Sequence, residues 1–339
     1  MRRCIDLARL GGVNVAPNPM VGAVLVFNNR IIGEGYHAQC GKAHAEVNCI
    51  NSVAEIDKIL IEKSTLYVSL EPCVHFGKTP PCTNLILQHK IPKVVIGCAD
   101  SFAKVNGRGI QQLKDNGVQV VYGVLENDCK ALNKQFFTFN NKKRPYITLK
   151  WAQSKNGKIA GKSNERIFIS NDITNRLVHK WRAQEAAIMV GTNTALNDNP
   201  LLTARLWQGK NPIRILLDKE LNVPLKHHLF NTDAITIVFN TKKNGEENNI
   251  KYYRLTDFNL RTALNALHIL QVQSILVEGG SKLLQSFIDD NLWDEIRIIE
   301  NKELIMDDGL QAPILKNAHL AKKENYLTDS IYYYHPVLF

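Results

Sequence analysis

The sequence predicts an α/β protein built from two domains. Its 339 residues are more than one small core usually organises. Strand-like and helix-like segments alternate twice along the chain, over residues 21–138 and again over 146–299, and such alternation is typical of α/β folds. The polar, basic segment 140–145 (NNKKRP) separates the two runs and is interpreted as a linker. We therefore place the domains at residues 1–143 and 144–339.

The first domain is expected to begin with a helix and a β-hairpin. Residues 1–8 have the pattern of an amphipathic helix and lack the long apolar region of a signal peptide. Residues 21–27 and 31–36 read as two strands around an asparagine-rich turn. Beyond the hairpin, we predict helices from His44, after Cys82, over 110–116 and over 126–138, and strands over 65–69, 93–97 and 118–122.

The second domain repeats the alternation and predicts a mostly parallel sheet. The expected strands are 146–152, 187–191, 213–218, 234–239, 274–278 and 295–299, and the expected helices are 171–184, 260–270 and 282–290. A Gly279-Gly280 turn lies between a strand and a helix, where backbone N–H groups can hold a phosphate. Because the full G-x-G-x-x-G fingerprint is absent, a purely structural turn is an equal alternative.

Composition narrows the class of protein but leaves its partners open. A hydrophobic content of 45% and a charged content of 22% are ordinary for a globular protein, and no run of eighteen apolar residues predicts a membrane span. The net charge of +10 fits nucleic acid, small phosphorylated substrates or a lysine-rich surface. Seven cysteines without a framework spacing indicate a reducing compartment, so we expect a cytoplasmic protein.

One histidine and two cysteines form a candidate zinc site. Imidazole and thiolates are natural zinc ligands, and three protein ligands leave the fourth tetrahedral position open for water. Each candidate follows a structural boundary: His44 begins a predicted helix, Cys73 follows a strand, and Cys82 opens another helix. Glu46, two positions after the histidine, is suited to carry protons. The order H-x-E then P-C is that of zinc nucleobase deaminases, although the cysteine spacing here is C-x8-C where C-x2-C is usual.

Two other functions were weighed against this assignment. A nucleic-acid base deaminase fused to another domain would need the C-x2-C spacing and an RNA-binding surface, which the sequence does not indicate. A structural zinc module would need four protein ligands and has no use for Glu46. The remaining alternative is that Cys73 and Cys82 are ordinary buried thiols and His44 is a surface histidine.

The motifs resemble those of the bifunctional riboflavin-biosynthesis deaminase/reductase family. The similar deaminase segments are 17–22 (PNPMVG), 44–46 (HAE) and 71–82 (EPCVHFGKTPPC), whose extended cysteine loop is typical of that family. The similar reductase segments are 148–154 (TLKWAQS), 197–205 (NDNPLLTAR) and 277–280 (VEGG). The resemblance implies a cytidine-deaminase-like α/β/α sandwich followed by a dihydrofolate-reductase-like α/β domain.

The resemblance also implies two reactions and two cofactors. The first would be zinc-dependent deamination of 2,5-diamino-6-ribosylamino-4(3H)-pyrimidinone 5′-phosphate, with Glu46 moving the protons. The second would be reduction of the ribosyl group by NADPH, giving 5-amino-6-ribitylaminouracil 5′-phosphate. The preference for NADPH over NADH comes from the resemblance alone. Members of the family act on small phosphorylated pyrimidines and commonly form dimers or tetramers. We therefore expect a homo-oligomer and no nucleic-acid or membrane partner.

Site residues follow from the resemblance position by position. Deaminase substrate contacts would be Asn18, His37, His75 and Lys78. Reductase substrate contacts would be Lys150, Arg166, Arg182, Leu202, Arg205 and Glu278. NADPH would contact Gln153, Phe168, Thr194, Asp198 and the turn that starts at Gly280.

Several of these assignments have alternatives, and the chain departs from the family at a few positions. Asn18 could serve a plain turn, His75 could be a competing zinc ligand or an exposed histidine, and Lys150 could face solvent. Phe168 stands where the family usually has tryptophan, Arg166 where small polar residues are common, and Phe102 where a polar residue is expected. The chain also begins a few residues later than is usual, which we expect to shorten or fray the first helix.

Overall fold

The computed structural model describes residues 1–74, 80–100, 107–161 and 167–337. The chain divides into two compact units, Met1–Lys143 and Arg144–Phe339. Each unit has its own main sheet, and apolar residues of the strands and helices pack together in a core within that unit. The predicted α/β class is confirmed.

Unit 1 (Met1–Lys143) contains five strands and six α-helices among its described residues. The strands are β1 (Gly22–Phe27), β2 (Arg30–Tyr36), β3 (Thr65–Leu70), β4 (Lys93–Cys98) and β5 (Gln119–Tyr122). The helices are α1 (Arg2–Arg9), α2 (Ala45–Asn51), α3 (Cys82–Gln88), α4 (Arg108–Asp115), α5 (Glu126–Leu132) and α6 (Lys134–Lys142), with 3₁₀ turns at Gly12–Val15 and Glu55–Lys63.

The sheet of unit 1 has the order β2-β1-β3-β4-β5. Strands β3, β4 and β5 run parallel, whereas β1 is antiparallel to both β2 and β3. The apolar run in β4 is buried along nearly its whole length, as expected for a parallel strand covered on both faces. Helix α1 lies directly on β1, because a Cβ atom at Gly22 would come within 2.0 Å of the Cys4 carbonyl oxygen.

Two expectations for the end of unit 1 are wrong. The single helix predicted over 126–138 is two helices, because the Asn133 side chain bonds to both main-chain groups of Met20 at 2.8 and 2.9 Å and leaves the helical path. The predicted linker 140–145 is shorter than expected, since α6 continues to Lys142 with Phe139 buried beneath it.

Unit 2 (Arg144–Phe339) contains twelve strands and four α-helices among its described residues, with a 3₁₀ turn at His228–Phe230. The strands are β6 (Tyr146–Ser154), β7 (Lys158–Ala160), β8 (Ala187–Gly191), β9 (Ile213–Leu217), β10 (Thr236–Asn240), β11 (Gly245–Glu247), β12 (Ile250–Arg254), β13 (Ser274–Val277), β14 (Glu295–Asn301), β15 (Leu310–Gln311), β16 (Ala318–Tyr326) and β17 (Asp329–Pro336). The helices are α7 (Asp172–Gln184), α8 (Thr192–Asp198), α9 (Leu260–Ile269) and α10 (Ser281–Asp289).

The main sheet of unit 2 has the order β11-β12-β10-β9-β8-β13-β6-β14-β17-β16. Its seven central strands, β12 to β14 in that order, are parallel; six of them match predicted strands, and β12 was not predicted. The antiparallel β16–β17 hairpin, which extends the sheet beyond β14, was not predicted. No helix in the part of the chain that the structure describes is long and apolar enough to cross a membrane.

Candidate functional site

Three zinc-type ligands converge in unit 1 from separate segments. His44 is the N-cap residue of α2, Cys82 is the first residue of α3, and Cys73 lies in the segment after β3. Their ligand atoms all lie within 4.8 Å of one another. The predicted convergence of two helix starts and a loop is therefore found.

The distances fit a tetrahedral zinc ion. The Nδ1 atom of His44 lies 3.5 Å from Sγ of Cys73 and 3.3 Å from Sγ of Cys82. Zinc–sulfur and zinc–nitrogen bonds of ordinary length, at a tetrahedral angle, separate two such ligands by roughly 3.6 Å. A hydrogen bond with the Cys82 thiol, then one with His44, lowers the pKa of Cys73 to about 4, so this sulfur is readily a thiolate.

Glu46 lies beside these ligands and is buried. It stands in the first turn of α2, two residues after His44, with 3% of its surface exposed. Burial, and next the negative charge on Cys73, raise the pKa of the Glu46 carboxyl. A carboxyl that accepts a proton easily and is not needed as a ligand suits proton transfer.

Asn18 and His37 form a pair next to the cluster. The Nδ1 atom of His37 lies 3.0 Å from the Ala43 carbonyl oxygen, which leaves Nε2 to accept from the Asn18 amide at 3.1 Å. The His37 ring meets the His44 ring edge to face, with centroids 5.4 Å apart. Burial lowers the pKa of His37, so a neutral ring is favoured. Asn18 therefore has a side-chain role in addition to its turn, in which its N–H bonds to the Val15 carbonyl.

Glu71 is a functional candidate to which the sequence motif 71–82 assigned no role. Its carboxylate accepts four backbone N–H groups, those of Asp100, Gly107, Gly109 and Ile110. A glutamate immediately before Pro-Cys was the available signal, but its partners lie some 30 to 40 positions further along the chain. Three expected contacts, His75, Lys78 and Arg166, lie outside the described residues, as does the departure at Phe102.

In unit 2, three expected substrate residues form one charged cluster. Arg182, near the end of α7, donates from Nε and Nη2 to the two oxygens of Glu278, at 2.8 and 2.7 Å. Nζ of Lys150, on β6, lies 4.0 Å from the same carboxylate, and only 12% of the Lys150 side chain is exposed. The alternative of a solvent-facing Lys150 is therefore wrong. Burial opposes ionisation of Glu278, but Arg182 and Lys150 outweigh it and lower its pKa to about 2.

A cavity of about 300 Å³ lies beside this cluster. Four expected residues line it: Arg182, Leu202, Arg205 and Asp198. Arg182 donates from Nε and Nη2 to Glu278 and from Nη1 to the Thr203 carbonyl oxygen, so it offers a phosphate its charge and its remaining N–H groups. The structure thus places one expected cofactor contact, Asp198, among expected substrate contacts.

His179 lines the same cavity and was missed by sequence reasoning. It is 1% exposed, and its Nδ1 atom has no hydrogen-bond partner among the residues that the structure describes. Burial, followed by the charges of Arg182 and Arg205, lowers its pKa to about 4, so the ring is neutral at pH 7. The signal was present, because Asn175, His179 and Arg182 have i, i+4, i+7 spacing and share one face of a predicted helix.

The expected cofactor residues are only partly together. Thr194 lies against the glycine turn, since a Cβ atom at Gly279 or Gly280 would come 3.1 or 3.2 Å from its Oγ1. Gly279 would also press on Val190 at 2.9 Å, and Gly280 has φ +62°, so packing and backbone conformation already require these glycines. Gln153 accepts from Trp151 and contacts Glu300, outside the cavity.

Phe168 is also outside the cavity lining. Its side chain is 78% exposed.

Family models match both units. Residues 1–98 match the cytidine and deoxycytidylate deaminase zinc-binding region, and residues 145–301 match the RibD C-terminal domain. The chain is 38% identical over 317 residues to riboflavin biosynthesis protein RibD of Aquifex aeolicus, covering 91% of this chain and 88% of the relative. It is 32% identical to RibD of Escherichia coli over 328 residues, covering 91% of this chain and 88% of that one.

Solved structures match the whole chain. One is a diaminohydroxyphosphoribosylaminopyrimidine deaminase/5-amino-6-(5-phosphoribosylamino)uracil reductase of Thermotoga maritima, with a TM-score of 0.91 and 36% identity, covering 99% of this chain and 97% of that chain. Another is RibD of Acinetobacter baumannii, with a TM-score of 0.90 and 27% identity, covering 99% and 98%.

Proposed function

The chain belongs to the RibD family of bifunctional riboflavin-biosynthesis deaminase/reductases, and from this membership we propose how its two units divide the work. It is a deaminase and reductase of riboflavin biosynthesis that uses zinc and NADPH. Unit 1 removes the 2-amino group of 2,5-diamino-6-ribosylamino-4(3H)-pyrimidinone 5′-phosphate as ammonia. Unit 2 then reduces the ribosyl group of the product to ribityl, giving 5-amino-6-ribitylaminouracil 5′-phosphate.

His44, Cys73 and Cys82 hold zinc in this proposal, and Glu46 moves the protons. Zinc held by these residues would supply a nucleophile at neutral pH by lowering the pKa of a water. Glu46 accepts the proton of that water at its carboxylate as the oxygen bonds to the ring carbon. It then gives the proton to the leaving amino group as the carbon–nitrogen bond breaks and ammonia departs. Its buried position and raised pKa support this role.

Asn18 and His37 orient the pyrimidine in this proposal. Because the Asn18 amide donates to His37, its Oδ1 atom is turned so that it can accept from an N–H of the ring. His37 is in turn fixed by the Ala43 carbonyl, so the whole chain of hydrogen bonds has one direction. His75 and Lys78 remain proposed contacts of the base or its phosphate.

In unit 2, the charged cluster binds and orients the second substrate. NADPH supplies the hydride for C1′ of the opened sugar. Arg182 and Arg205 bind the phosphate, Leu202 packs on the substrate, and Glu278 holds Arg182 by its two hydrogen bonds. Lys150 lies within 4.0 Å of Glu278 and donates from Nζ to the sugar oxygen. The Nδ1 atom of neutral His179, which has no partner in the described part of the chain, accepts from a substrate hydroxyl.

NADPH binding is assigned to Gln153, Phe168, Thr194, Asp198 and Gly280, and Arg166 stays a proposed substrate contact. Thr194 and Gly280 adjoin each other, which supports a shared role. We further propose a cytoplasmic enzyme that assembles as a homodimer or tetramer. The seven free cysteines agree with a reducing compartment, and sedimentation of the purified chain measures the assembly.

The convergence of His44, Cys73 and Cys82 around buried Glu46 is the observation that carries this proposal. Its test supplies the diaminopyrimidinone ribosylphosphate and NADPH to the zinc-loaded protein. Ammonia release and NADPH oxidation are both expected. A chelator should abolish ammonia release yet leave NADPH oxidation on the deaminated pyrimidine unchanged. Zinc-loaded protein that releases no ammonia would contradict the proposal.

A further inference from the structure

Helix α4 contacts both segments that carry the zinc-site cysteines. Its first contact is with Glu71, two residues before Cys73. Glu71 is 4% exposed, and its oxygens accept from Gly107 at 3.0 Å, Gly109 at 2.8 Å and Ile110 at 3.2 Å. These are N–H groups at the start of α4 that have no partner within the helix. The carboxylate of Glu71 therefore fixes the N-terminus of α4 on the segment that leads to Cys73.

The fit between α4 and this segment is close. A Cβ atom at Gly109 would lie 2.3 Å from the carbonyl oxygen of Pro72, the residue immediately before Cys73. Only glycine lets the two backbones approach this far. The contact is therefore between main chains, and it sets the path of the chain into Cys73.

The second contact of α4 is with the segment of the other cysteine. Gln112, one turn further along α4, lies 3.1 Å from the Thr83 hydroxyl and donates to Oδ1 of Asn84 at 3.2 Å. Thr83 and Asn84 directly follow Cys82. Thr83 in addition donates its backbone N–H to the Cys73 carbonyl at 3.2 Å, and Cys82 donates its N–H to the Cys73 sulfur at 3.4 Å.

We propose that α4 is a clamp that sets the separation of the Cys73 and Cys82 thiolates, with Glu71 and Gln112 as positioning residues. The inference rests on the zinc site proposed above. Eight residues separate the two cysteines, so connectivity alone fixes their distance only loosely. Helix α4 adds a further constraint to the direct bonds from Cys82 and Thr83 to Cys73, because its first turn contacts the Cys73 segment and Gln112 contacts the Cys82 segment. His44 reaches the site from α2 and does not depend on the clamp.

Gln112→Ala, compared with Gln111→Ala, tests the clamp. Gln111 is the neighbouring residue on α4, but its side chain donates to exposed Asp115 on the same helix. Both variants remove one glutamine from α4, whereas only the first disconnects α4 from the Cys82 segment. The measurements use the full chain: the zinc dissociation constant by chelator competition, the absorption spectrum of the Co²⁺-loaded protein, and the melting temperature without metal.

Gln112→Ala should weaken zinc binding about tenfold, the usual effect of losing a group that positions a ligand. Its Co²⁺ ligand-field bands should shift, because the thiolates change their relative positions. Gln111→Ala should match wild type in both. Equal zinc affinity and equal Co²⁺ spectra in the two variants would overturn the clamp, even if Gln112→Ala lowered the melting temperature, since a merely structural glutamine does only that.

Gly109→Ala tests the opposite end of α4. Its methyl group forces α4 away from Pro72, so it too should shift the Co²⁺ bands, with zinc binding weakened by more than in Gln112→Ala. If this variant does not fold, the glutamine pair still decides the question. A wild-type chain that binds no zinc would refute the zinc site itself, whereas a wild type that binds one zinc with an unaffected Gln112→Ala variant would refute only the clamp.

Discussion

Glu71 in unit 1 and Glu278 in unit 2 both have largely buried side chains beside a candidate site, and the two carboxylates are held in different ways. Glu71 in unit 1 is surrounded by four backbone N–H groups. Glu278 in unit 2 instead faces the side chains of Arg182 and Lys150. A buried carboxylate needs either hydrogen bonds or opposite charge, and this chain uses one solution in each unit.

Because their partners differ, the two glutamates fix different parts of the structure. Backbone donors tie Glu71 to the path of the chain, so Glu71 fixes where main-chain segments and their cysteines lie. Cationic partners tie Glu278 to the side chains of Arg182 and Lys150, so Glu278 fixes where their positive charges lie. In the unit 2 cluster, the two cations Lys150 and Arg182 face the single carboxylate of Glu278, so the cluster has a net positive charge that attracts a phosphate.

The sequence provides a separate probe for each unit. All seven cysteines lie in unit 1, and all four tryptophans, Trp151, Trp181, Trp207 and Trp293, lie in unit 2. Four of the cysteines, Cys4, Cys49, Cys98 and Cys129, are buried outside the zinc site. Thiol reactivity during urea unfolding therefore reports on unit 1, and tryptophan fluorescence reports on unit 2.

Glu71→Gln should have the largest effect on stability. The amide keeps one acceptor oxygen but turns an NH₂ group toward two backbone N–H donors, each costing on the order of 1–3 kcal/mol when buried without a partner. We expect the free energy of unfolding measured by thiol reactivity to fall by about 4 kcal/mol. The tryptophan-monitored transition should stay in place. An equal shift in both unfolding transitions would contradict the claim that Glu71 stabilises unit 1 alone.

Arg182→Ala should have the next largest effect, confined to unit 2. It leaves the Glu278 carboxylate buried with Lys150 as its remaining cation, and removing one partner of a buried pair costs on the order of 3–5 kcal/mol. The tryptophan-monitored unfolding free energy should fall by about 3 kcal/mol. Arg182→Lys keeps the charge but not the two-pronged hydrogen bonding, so it should recover only part of the loss.

The pH dependence of unit 2 should show the ionic nature of Glu278. Its pKa is lowered from 4.5 to about 2, so the folded state binds this proton later than the unfolded state does. Its stabilisation is complete above pH 4.5 and is lost as the pH falls toward 2. The tryptophan-monitored unfolding free energy should decline over this range in wild type, and the decline should be shallower in Glu278→Gln. Parallel curves would contradict the ion pair.

His179 should add a second, separable acid-sensitive range. Its pKa is lowered from 6.5 to about 4, so the unfolded state takes up this proton first. Unit 2 therefore loses stability as the pH falls from 6.5 to 4, by at most about 1.4 kcal/mol per pH unit. His179→Gln should remove this slope and raise KM for the reductase substrate. A retained slope would assign the titration to another group.

Phe168→Ala should have the smallest effect. The side chain is 78% exposed, and substitutions at exposed positions usually change the unfolding free energy by less than about 0.5 kcal/mol. If Phe168 contacts NADPH as proposed, KM for NADPH should rise a few-fold with the unfolding curve unchanged. An unchanged KM would remove Phe168 from the cofactor site.

The same contrast explains what the sequence could predict. The zinc cluster was readable because few residue types bind zinc and each stood at a strand end or a helix start, as His44 does. The alternating strands and helices were readable for the same local reason. Local patterns could not reveal that Asn133 breaks a helix to bond with Met20, because that contact is tertiary.

In unit 2, sequence pattern identified the charged residues but not their arrangement. Arginine and glutamate are common surface residues, so nothing in the sequence shows that Arg182 and Glu278, 96 positions apart, form a buried pair. His179 was readable from helix periodicity alone and was overlooked. Glu71 was visible in its motif, but its four backbone partners are set by the fold.

Ammonia release and NADPH oxidation by Glu46→Gln show whether the chain has two chemically independent sites. If Glu46 moves the protons, ammonia release should fall at least about a hundredfold, which is the usual contribution of a proton-transferring group. NADPH oxidation should stop with the diaminopyrimidinone substrate and return to the wild-type rate when the deaminated pyrimidine is supplied. Ammonia release within a few-fold of wild type, or NADPH oxidation that the deaminated pyrimidine does not restore, would contradict this proposal.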